Sequence, residues 1–288
     1  MLSLIRWLSR WPLRLLHVVG AALGWLAYAL SPTYRGRLRA NAGLAGLGKA
    51  LRHEAIAEAG RMAAEVPWMW LRPADRRGDG WVRWDGAALI DAALDAGKGL
   101  VLLTPHLGCF EACAQGYAQR YGARQPITVL YRPARQRWLR ELEETARARP
   151  GLHTAPAALS GVRQMLRALK RGETIGMLPD QVPPEGLGVW APFYGQPAYT
   201  MTLAARLVQQ SGAALLLMWG ERMPRGAGYV LHVRPAPALP RQAENEEALQ
   251  LACATTVNQA MEALISEKPG QYLWGYHRYK TPRKELGA

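Results

Sequence analysis

An apolar segment opens the chain. Residues 11–30 are mostly apolar and are interrupted only by Arg14 and His17. A helix needs about 20 apolar residues to cross a bilayer, so this segment is close to the shortest length that can span. No small-x-small cleavage site follows it, which favours a retained anchor over a cleaved secretory signal. The pattern predicts a hydrophobic membrane-anchor helix within residues 1–30.

The polar residues of the same segment leave its orientation open. Arg6, Arg10 and Arg14 are spaced four apart on one helical stripe, which also fits a helix lying in the membrane interface. Basic residues occur on both sides of the apolar stretch, so their charge does not decide the topology. No internal repeat or low-complexity linker follows, and residues 31–288 are predicted to form a single domain.

Beyond the anchor, helical patterns alternate with short apolar runs bounded by turn-forming residues. Predicted helices cover residues 41–72, 87–96, 135–148, 161–171, 200–210 and 243–266. Predicted strands cover residues 100–104, 127–131, 174–178, 213–219 and 229–233. Short apolar strands between helices are typical of a sheet that is covered on both faces. The pattern predicts an α/β fold with a mixed, largely parallel sheet flanked by helices.

Composition narrows the class of partner. The chain has 36 basic and 22 acidic residues and a net charge of +14, which suits an anionic membrane surface or an acidic protein. It has 11 Trp and 11 Tyr but only two Phe, a balance that favours rings at a membrane-water boundary. Zinc-finger spacing, a basic region with heptads and base-stacking strands are all lacking, so nucleic acid is not expected as a partner.

The cysteines indicate a reducing environment. Cys109, Cys113 and Cys253 are odd in number and have no paired zinc or redox spacing, which favours a compartment that faces the cytoplasm. Cys109 lies near a predicted helix start, where the pKa of a thiol falls, so a thiol nucleophile is one interpretation. The favoured interpretation is that Cys109 and Cys113 are small apolar residues on an inner helix face.

The stretch Thr104–Glu111, with the sequence TPHLGCFE, is the best candidate for chemistry. It lies where a buried strand ends and a helix begins, and ligands gather at the carboxyl ends of strands in open α/β sheets. His106 and Glu111 would point about 140° apart on one continuous helix. Gly108 can break the backbone between them, so that Glu111 in the first helical turn reaches the imidazole. This arrangement is a general base with an orienting carboxylate.

Such a pair implies acyl transfer to an alcohol. The imidazole takes a proton from the attacking hydroxyl, and the carboxylate holds the tautomer and stabilises the imidazolium. A histidine satisfied at a strand end and an exposed glutamate explain the spacing equally well. A metal site is less favoured because a helical pair of histidines at i, i+4 is lacking. Neither a metal nor a cofactor is expected.

Ordered motifs along most of the chain carry a resemblance to a known family. They are the amino-terminal anchor, Thr104–Glu111, Tyr131-Arg132-Pro133, the pair Arg147 and Arg149, Leu178-Pro179-Asp180-Gln181, Pro192-Phe193-Tyr194-Gly195, and Gln271 to Lys280. The chain resembles the lipid A late acyltransferases, the lauroyl and myristoyl transferases of lipopolysaccharide synthesis, within the HxxxxD/E acyltransferase superfamily.

The resemblance implies a reaction and its partners. An acyl chain would pass from acyl carrier protein to a hydroxyl of a lipid A precursor, at a bacterial inner membrane with the catalytic domain facing the cytoplasm. His106 would be the general base and Glu111 its charge partner. Arg147, Arg149 and Asp180 would be further site residues.

Physical chemistry adds to the case for some of these residues. Phosphate groups on a lipid acceptor or a carrier arm favour bidentate contacts with guanidinium groups such as those of Arg147 and Arg149. The alternative is that these two arginines lie on a solvent-exposed helix face and bind nothing. Arg132 follows a strand and is expected to point toward the same edge of the sheet. Asp180 follows the strand 174–178, where ordering of a pocket and turn formation are both plausible roles.

Two other functions stay open. The same dyad could acylate another lipid, such as a lysophospholipid or an aminolipid. A non-catalytic basic membrane-binding protein is the alternative from a different class. Residues 188–195 are interpreted as an apolar loop that lines a slot for the acyl chain, in which each buried methylene contributes about 0.8 kcal/mol.

Overall fold

A computed structural model describes residues 2–73, 76–77, 80–131, 136 and 149–284. Its helices are α1 (Leu2–Leu8), α2 (Leu13–Leu30), α3 (Pro32–Leu44), α4 (Lys49–Leu71), α5 (Ala87–Asp95), α6 (Phe110–Tyr121), α7 (Leu159–Lys170), α8 (Leu203–Ser211) and α9 (Glu246–Glu267). Its strands are β1 (Val82–Asp85), β2 (Leu100–Leu103), β3 (Ile127–Tyr131), β4 (Leu152–Pro156), β5 (Thr174–Met177), β6 (Gly188–Phe193), β7 (Gln196–Met201), β8 (Ala214–Arg222) and β9 (Tyr229–Pro235).

Within the described residues, seven of these strands form one sheet in the order β1-β9-β8-β2-β5-β3-β4. Neighbours are parallel except β8 and β9, which run antiparallel. The sheet is therefore mixed and largely parallel, with helices around it, and the predicted fold class is confirmed. Its centre is β2, which pairs with β8 on one side and β5 on the other.

Burial on both faces explains why β2 is a continuous apolar run. Val101 and Leu103 pack into the core on one side of the sheet, and Leu100 and Leu102 pack into the core on the other. All four residues are at most 2% exposed. Full burial of each such side chain contributes about 1.5–3 kcal/mol, so this strand is a rigid support for whatever follows it.

Helix α2 packs against α4 through glycines. Gly60 in α4 faces Gly20 and Gly24 in α2 so closely that a Cβ on Gly60 would collide with the Gly20 carbonyl oxygen and the Gly24 nitrogen. In the part of the chain that the structure describes, α2 is the one helix long and apolar enough to cross a membrane, and 28% of it is buried. Its outward residues include Val18, Leu23, Leu26 and Leu30, each more than half exposed. These features support the predicted anchor.

Most of the predicted elements are present with shifted ends. The helix predicted from residue 41 begins instead at Lys49, because Gly46 takes a positive φ of 69° and ends α3 shortly before it. The edge strands β1 and β4 were not predicted, because β1 is only partly buried on one face and β4 has just two buried residues, so neither has a continuous apolar run. The helix predicted for residues 135–148 lies, apart from residue 136, outside the described residues.

The prediction of a loop at residues 188–195 was wrong. Strand β6 occupies most of this range and pairs antiparallel with β7 from Gly188 to Phe193. Tyr194 and Gly195 form the two-residue connection, with positive φ values of 46° and 74°. Two positive values in a row are typical of the tight turns that suit the twist of paired strands. The apolar residues of β6 therefore serve a hairpin, which packs on α9.

Candidate active site

His106 lies just beyond the carboxyl end of the central strand β2. Its backbone carbonyl accepts a hydrogen bond of 3.1 Å from the Leu273 amide. The next residues turn sharply at Gly108, which has a φ of 59° and lies so close to Gly220 that a Cβ would collide with that carbonyl oxygen. Only glycine suits both conditions. The turn places His106 in a loop and starts α6 at Phe110, as the break at Gly108 predicted.

Asp180 forms hydrogen bonds with the His106 ring and with its backbone. Its Oδ1 lies 2.8 Å from His106 Nδ1, and its Oδ2 accepts a 2.8 Å hydrogen bond from the His106 backbone amide. Strands β2 and β5 are adjacent and in register, with Leu103 opposite Met177. Residues three positions beyond each strand end therefore meet at one edge of the sheet. Asp180 therefore contacts the catalytic candidate itself, whereas its role as a site residue stays a prediction.

Gln181 contacts the other ring nitrogen of His106, Nε2. Its amide nitrogen lies 2.9 Å from His106 Nε2. Since the Asp180 carboxylate can only accept, the Nδ1–H donates to it, which leaves Nε2 unprotonated as the acceptor for the Gln181 amide. The surroundings thus select the neutral tautomer whose Nε2 can take a proton.

The Asp180 carboxylate is kept ionised although it is only 2% exposed. Burial by itself raises its pKa, but the positive charge that His106 carries when it is protonated, the two hydrogen bonds from His106 and the charge of Arg278 bring the pKa below its usual value. Arg278 is itself buried, and its guanidinium donates to the Tyr199 carbonyl and to Thr200 Oγ1. A buried, ionised carboxylate beside an imidazole can stabilise the positive charge that forms on protonation.

Glu111 lies half-buried in the first turn of α6. The preceding residue, Phe110, packs its ring against the His106 imidazole with centroids 4.9 Å apart. A carboxylate in the first turn also interacts favourably with the helix dipole. The placement matches the predicted position of Glu111, whereas its role as partner of His106 stays a prediction.

Arg149 caps the end of a helix. Its guanidinium donates to the carbonyls of Met69, Trp70 and Arg72 at 3.0–3.2 Å, where α4 ends. Unpaired carbonyls and the negative end of the helix dipole favour a cation there. Burial lowers the pKa of Arg149. Its role in substrate binding stays a prediction.

Two of the predicted arginines fall outside the described residues. They are Arg132 and Arg147. Beside Arg149 the structure has another half-buried cation, Arg77, which sequence reasoning missed. Burial and the charge of Arg149 lower the pKa of Arg77 to about 9. Nothing in the local sequence distinguishes Arg77 from a surface arginine, because its contacts with Trp68, Trp81 and Gln115 depend on the folded chain.

A buried charge cluster supports the loop from behind. Arg222 at the end of β8 is 3% exposed and pairs with Glu58 and Glu65 of α4. Its guanidinium also donates a 3.0 Å hydrogen bond to the Gly108 carbonyl. His17 of α2 lies 3.1 Å from Glu65. A continuous chain of polar contacts therefore joins the apolar amino-terminal helix to the turn that follows His106.

The cysteines beside the loop are poor nucleophiles. Burial raises the pKa of Cys113 to about 12 and raises that of Cys109 well above its usual value. Reaction needs the thiolate, which such surroundings disfavour. Their positions agree with the prediction that they are apolar residues on an inner helix face.

Known proteins and one protein family show sequence similarity to most of this chain. The family model described as bacterial lipid A biosynthesis acyltransferase matches residues 2–281. The lipid A biosynthesis lauroyltransferase of Escherichia coli (strain K12) is 27% identical over 223 residues, which are 77% of this chain and 68% of that protein. The palmitoleoyltransferase of the same strain is 26% identical over 77% of this chain and 69% of that protein. A lipid A biosynthesis acyltransferase of Haemophilus influenzae is 24% identical over 66% of this chain and 56% of its own length.

Proposed function

The chain belongs to the bacterial lipid A biosynthesis acyltransferases, and from this membership we propose that it moves a fatty acyl chain from an acyl carrier protein thioester to a hydroxyl of a lipid A precursor. The observation that carries the proposal is the state of His106, whose Nδ1 lies 2.8 Å from a buried carboxylate. Its Nε2 is thereby left as a proton acceptor at the carboxyl edge of the central strand. This is the arrangement that activation of a hydroxyl requires.

The proposed reaction is a direct transfer. The acceptor hydroxyl replaces the Gln181 amide at His106 Nε2 and gives its proton to that nitrogen. The hydroxyl oxygen then forms a bond with the thioester carbonyl carbon, and the carbon–sulfur bond breaks. The thiolate that leaves takes the proton back from the imidazolium. No acyl-enzyme, metal or cofactor is required for this step.

Two carboxylates assist His106 in this proposal. Asp180 holds Nδ1–H and the backbone amide, so it sets the tautomer and stabilises the imidazolium. Glu111 acts as the charge partner that the family resemblance implies, from the first turn of α6. Arg132, Arg147 and Arg149 are proposed to bind phosphate groups of the substrates.

The proposed partners and location of the enzyme follow from the net charge of the chain and from the apolar helix α2. A basic chain of net charge +14 attracts both an acidic carrier protein and an anionic bilayer. We place α2 in the inner membrane and the sheet domain on the cytoplasmic side, where the buried, unpaired cysteines remain reduced.

The test is acyl transfer in the full chain, with radiolabelled acyl carrier protein thioesters of several chain lengths and a lipid A precursor. His106→Ala and Glu111→Ala should each lower kcat by about 10²–10⁴-fold, because general base catalysis is lost. Thermal unfolding and membrane binding, measured on the same variants, should match the wild type.

Other results would change the proposal. Turnover retained by His106→Ala would contradict the mechanism. If the wild type transfers to a lysophospholipid or an aminolipid but not to the lipid A precursor, the proposed acceptor is wrong and the dyad stands. Transfer to none of these acceptors would favour a non-catalytic membrane-binding protein.

A further inference from the structure

A cavity of about 430 Å³ lies beside the anchor helix. Its wall is formed by the first turns of α2, by α4, by the β8–β9 turn and by the segment after α9. We name it the α2 cavity and define it by Arg14, Glu54, Arg222, Arg225 and Lys268. It lies behind the turn at Gly108, because Arg222 both lines the cavity and donates to the Gly108 carbonyl. The catalytic proposal makes no use of this space.

The charge that remains in the α2 cavity is positive. Glu58, which also lines it, is already paired with Arg61 and Arg222. Lys268 reaches Glu221 only at 3.7 Å. That leaves the exposed side chains of Arg14 and Arg225, for which the described part of the chain offers no ion-pair partner.

One carboxylate offsets part of this charge. Glu54 lines the same cavity and has no ion pair among the described residues. Arg14, Arg225 and Lys268 together outweigh it. Three cations from three separate elements around one space are suited to a phosphate group, whose oxygens accept several charged hydrogen bonds at once.

The backbone holds Arg225 in an unusual conformation. Its φ and ψ are 58° and 23°, in the left-handed region that residues other than glycine rarely adopt. The next residue, Gly226, packs so closely on α2 that a Cβ would collide with the Arg14 backbone nitrogen. The β8–β9 turn is therefore pressed against the start of the anchor, with Arg225 beside Arg14 at the cavity. Strained residues of this kind concentrate at binding sites.

An apolar surface continues from the cavity mouth. Val18 lines the cavity one helical turn after Arg14 and is 62% exposed. Leu15 and Val19, which are also exposed, extend the apolar surface of α2. A ligand with an anionic head and apolar tails matches this juxtaposition better than a free anion does, because its tails cover apolar surface.

We propose that the α2 cavity binds a phosphate ester, presented as the head group of an anionic lipid whose tails lie along α2. The inference is independent of the catalytic mechanism, since it requires binding and no turnover. A bound head group would join α2, the β8–β9 turn and Lys268, and would fix the anchor against the domain.

The experiment measures lipid binding to the full chain in neutral detergent by calorimetric titration. The probes are a short-chain phosphatidylglycerol, a phosphatidylcholine with the same chains, and glycerol 3-phosphate. We expect saturable binding of the phosphatidylglycerol and at least about tenfold weaker binding of the phosphatidylcholine. If glycerol 3-phosphate binds as tightly as the phosphatidylglycerol, the cavity is a phosphate site. Its ligand would then be a free phosphate compound and not a lipid. Both lipids carry a phosphate ester, but the choline cation cancels its charge in the phosphatidylcholine, so equal affinity for both would overturn the proposal of an anionic head group.

Variants locate the binding. Arg14→Gln and Arg225→Gln should each weaken phosphatidylglycerol binding about tenfold, because each removes a charged donor. Arg225→Gly removes the same charge, and glycine adopts the left-handed backbone conformation without strain. This variant should therefore lose affinity for phosphatidylglycerol without losing stability. The matched control is Arg10→Gln, which removes one charge from the same terminal segment outside the cavity and should change affinity less than twofold. An equal loss in Arg10→Gln would show general charge attraction and overturn the site.

Discussion

At the scale of single residues, the feature that matters most is the line Asp180–His106–Gln181. Asp180 accepts from both the ring and the backbone of His106, and Gln181 donates to the far ring nitrogen. A carboxylate offers one acceptor oxygen to each of the two N–H groups, whereas an asparagine in the same position would present its NH₂ group to one of them. The ring is thereby held in one orientation and one tautomer before substrate arrives, which is how a general base is kept ready.

Asp180→Asn tests this arrangement. Asparagine has one carbonyl oxygen, so either Nδ1–H or the backbone N–H must face its NH₂ group. We expect kcat to fall about 10²–10⁴-fold with little change in KM. The acidic limb of the pH profile of kcat/KM should move to lower pH, because the imidazolium loses its counter-charge. Steady-state kinetics from pH 5 to 9 measures both.

The comparison variant is Glu111→Gln. One outcome is that Asp180→Asn keeps kcat/KM within about threefold of the wild type and leaves the pH profile unchanged, while Glu111→Gln loses kcat/KM in full. Glu111 then orients the base, and Asp180 is structural. Full loss in both variants assigns a separate part to each carboxylate.

At the scale of elements, the crossing of α2 and α4 decides how the apolar helix α2 meets the rest of the chain. The helices touch through Gly20, Gly24 and Gly60, which permit backbone-to-backbone packing. The same crossing brings His17 of α2 within 3.1 Å of Glu65 of α4. A displacement of α2 would therefore break a buried polar contact as well as apolar packing.

Gly60→Ala should destabilise the protein by about 3 kcal/mol, since the added methyl group has no space and the helices must separate. Gly36→Ala is the matched control. Gly36 lies within α3 with nothing near its Cβ position, so alanine there should stabilise the protein by up to about 1 kcal/mol. Denaturant unfolding in neutral detergent measures both. A Gly60→Ala variant as stable as the wild type would contradict the close crossing.

At the scale of the whole molecule, one buried charge cluster ties distant parts together. Arg222 of β8 pairs with Glu58 and Glu65, and the Tyr229 hydroxyl donates to Glu65 at 2.9 Å. Burial raises the pKa of Glu65, but the charge and hydrogen bonds of Arg222 and His17 outweigh it and lower the pKa to about 2. Buried pairs of this kind are costly to break, because the remaining partner is left as an uncompensated charge.

The cluster predicts a dependence of stability on pH. A carboxyl with a lowered folded-state pKa stabilises the fold above its unfolded value of 4.5, and this contribution is lost as pH falls through about 2. The contribution is about 3 kcal/mol. Glu65→Gln should unfold more easily than the wild type at pH 6, and the difference should narrow at pH 3. Denaturant unfolding at both pH values measures this.

Asp95→Asn is the control for that experiment. Asp95 pairs with Arg124 at the surface, with a side chain that is 70% exposed, and such pairs contribute about 0–1 kcal/mol. Its variant should stay close to the wild type at both pH values. A Glu65→Gln variant with the same difference from the wild type at pH 6 and pH 3 would show that Glu65 is not the group responsible.

The sequence alone was enough to predict the α/β class, the apolar helix α2, the central strand β2 and the placement of His106 at its end. These follow from hydrophobic periodicity and from the glycine at 108, which act over a few residues. Strands buried on one face, such as β1, were missed because their pattern is weaker. The dyad of His106 and Glu111 stays a prediction, as do the roles of the arginines.

Tertiary structure decided which side chains meet. Asp180 reaches His106 across 74 residues because β2 and β5 are neighbours in the sheet, an order that no local pattern contains. Arg222 reaches Glu58 across 164 residues and Glu65 across 157, because the fold places the end of β8 beside α4. Periodicity reports which face of an element is buried, whereas strand order and helix crossing depend on the packing of the whole chain. The chemical surroundings of His106 therefore become visible only in the folded molecule.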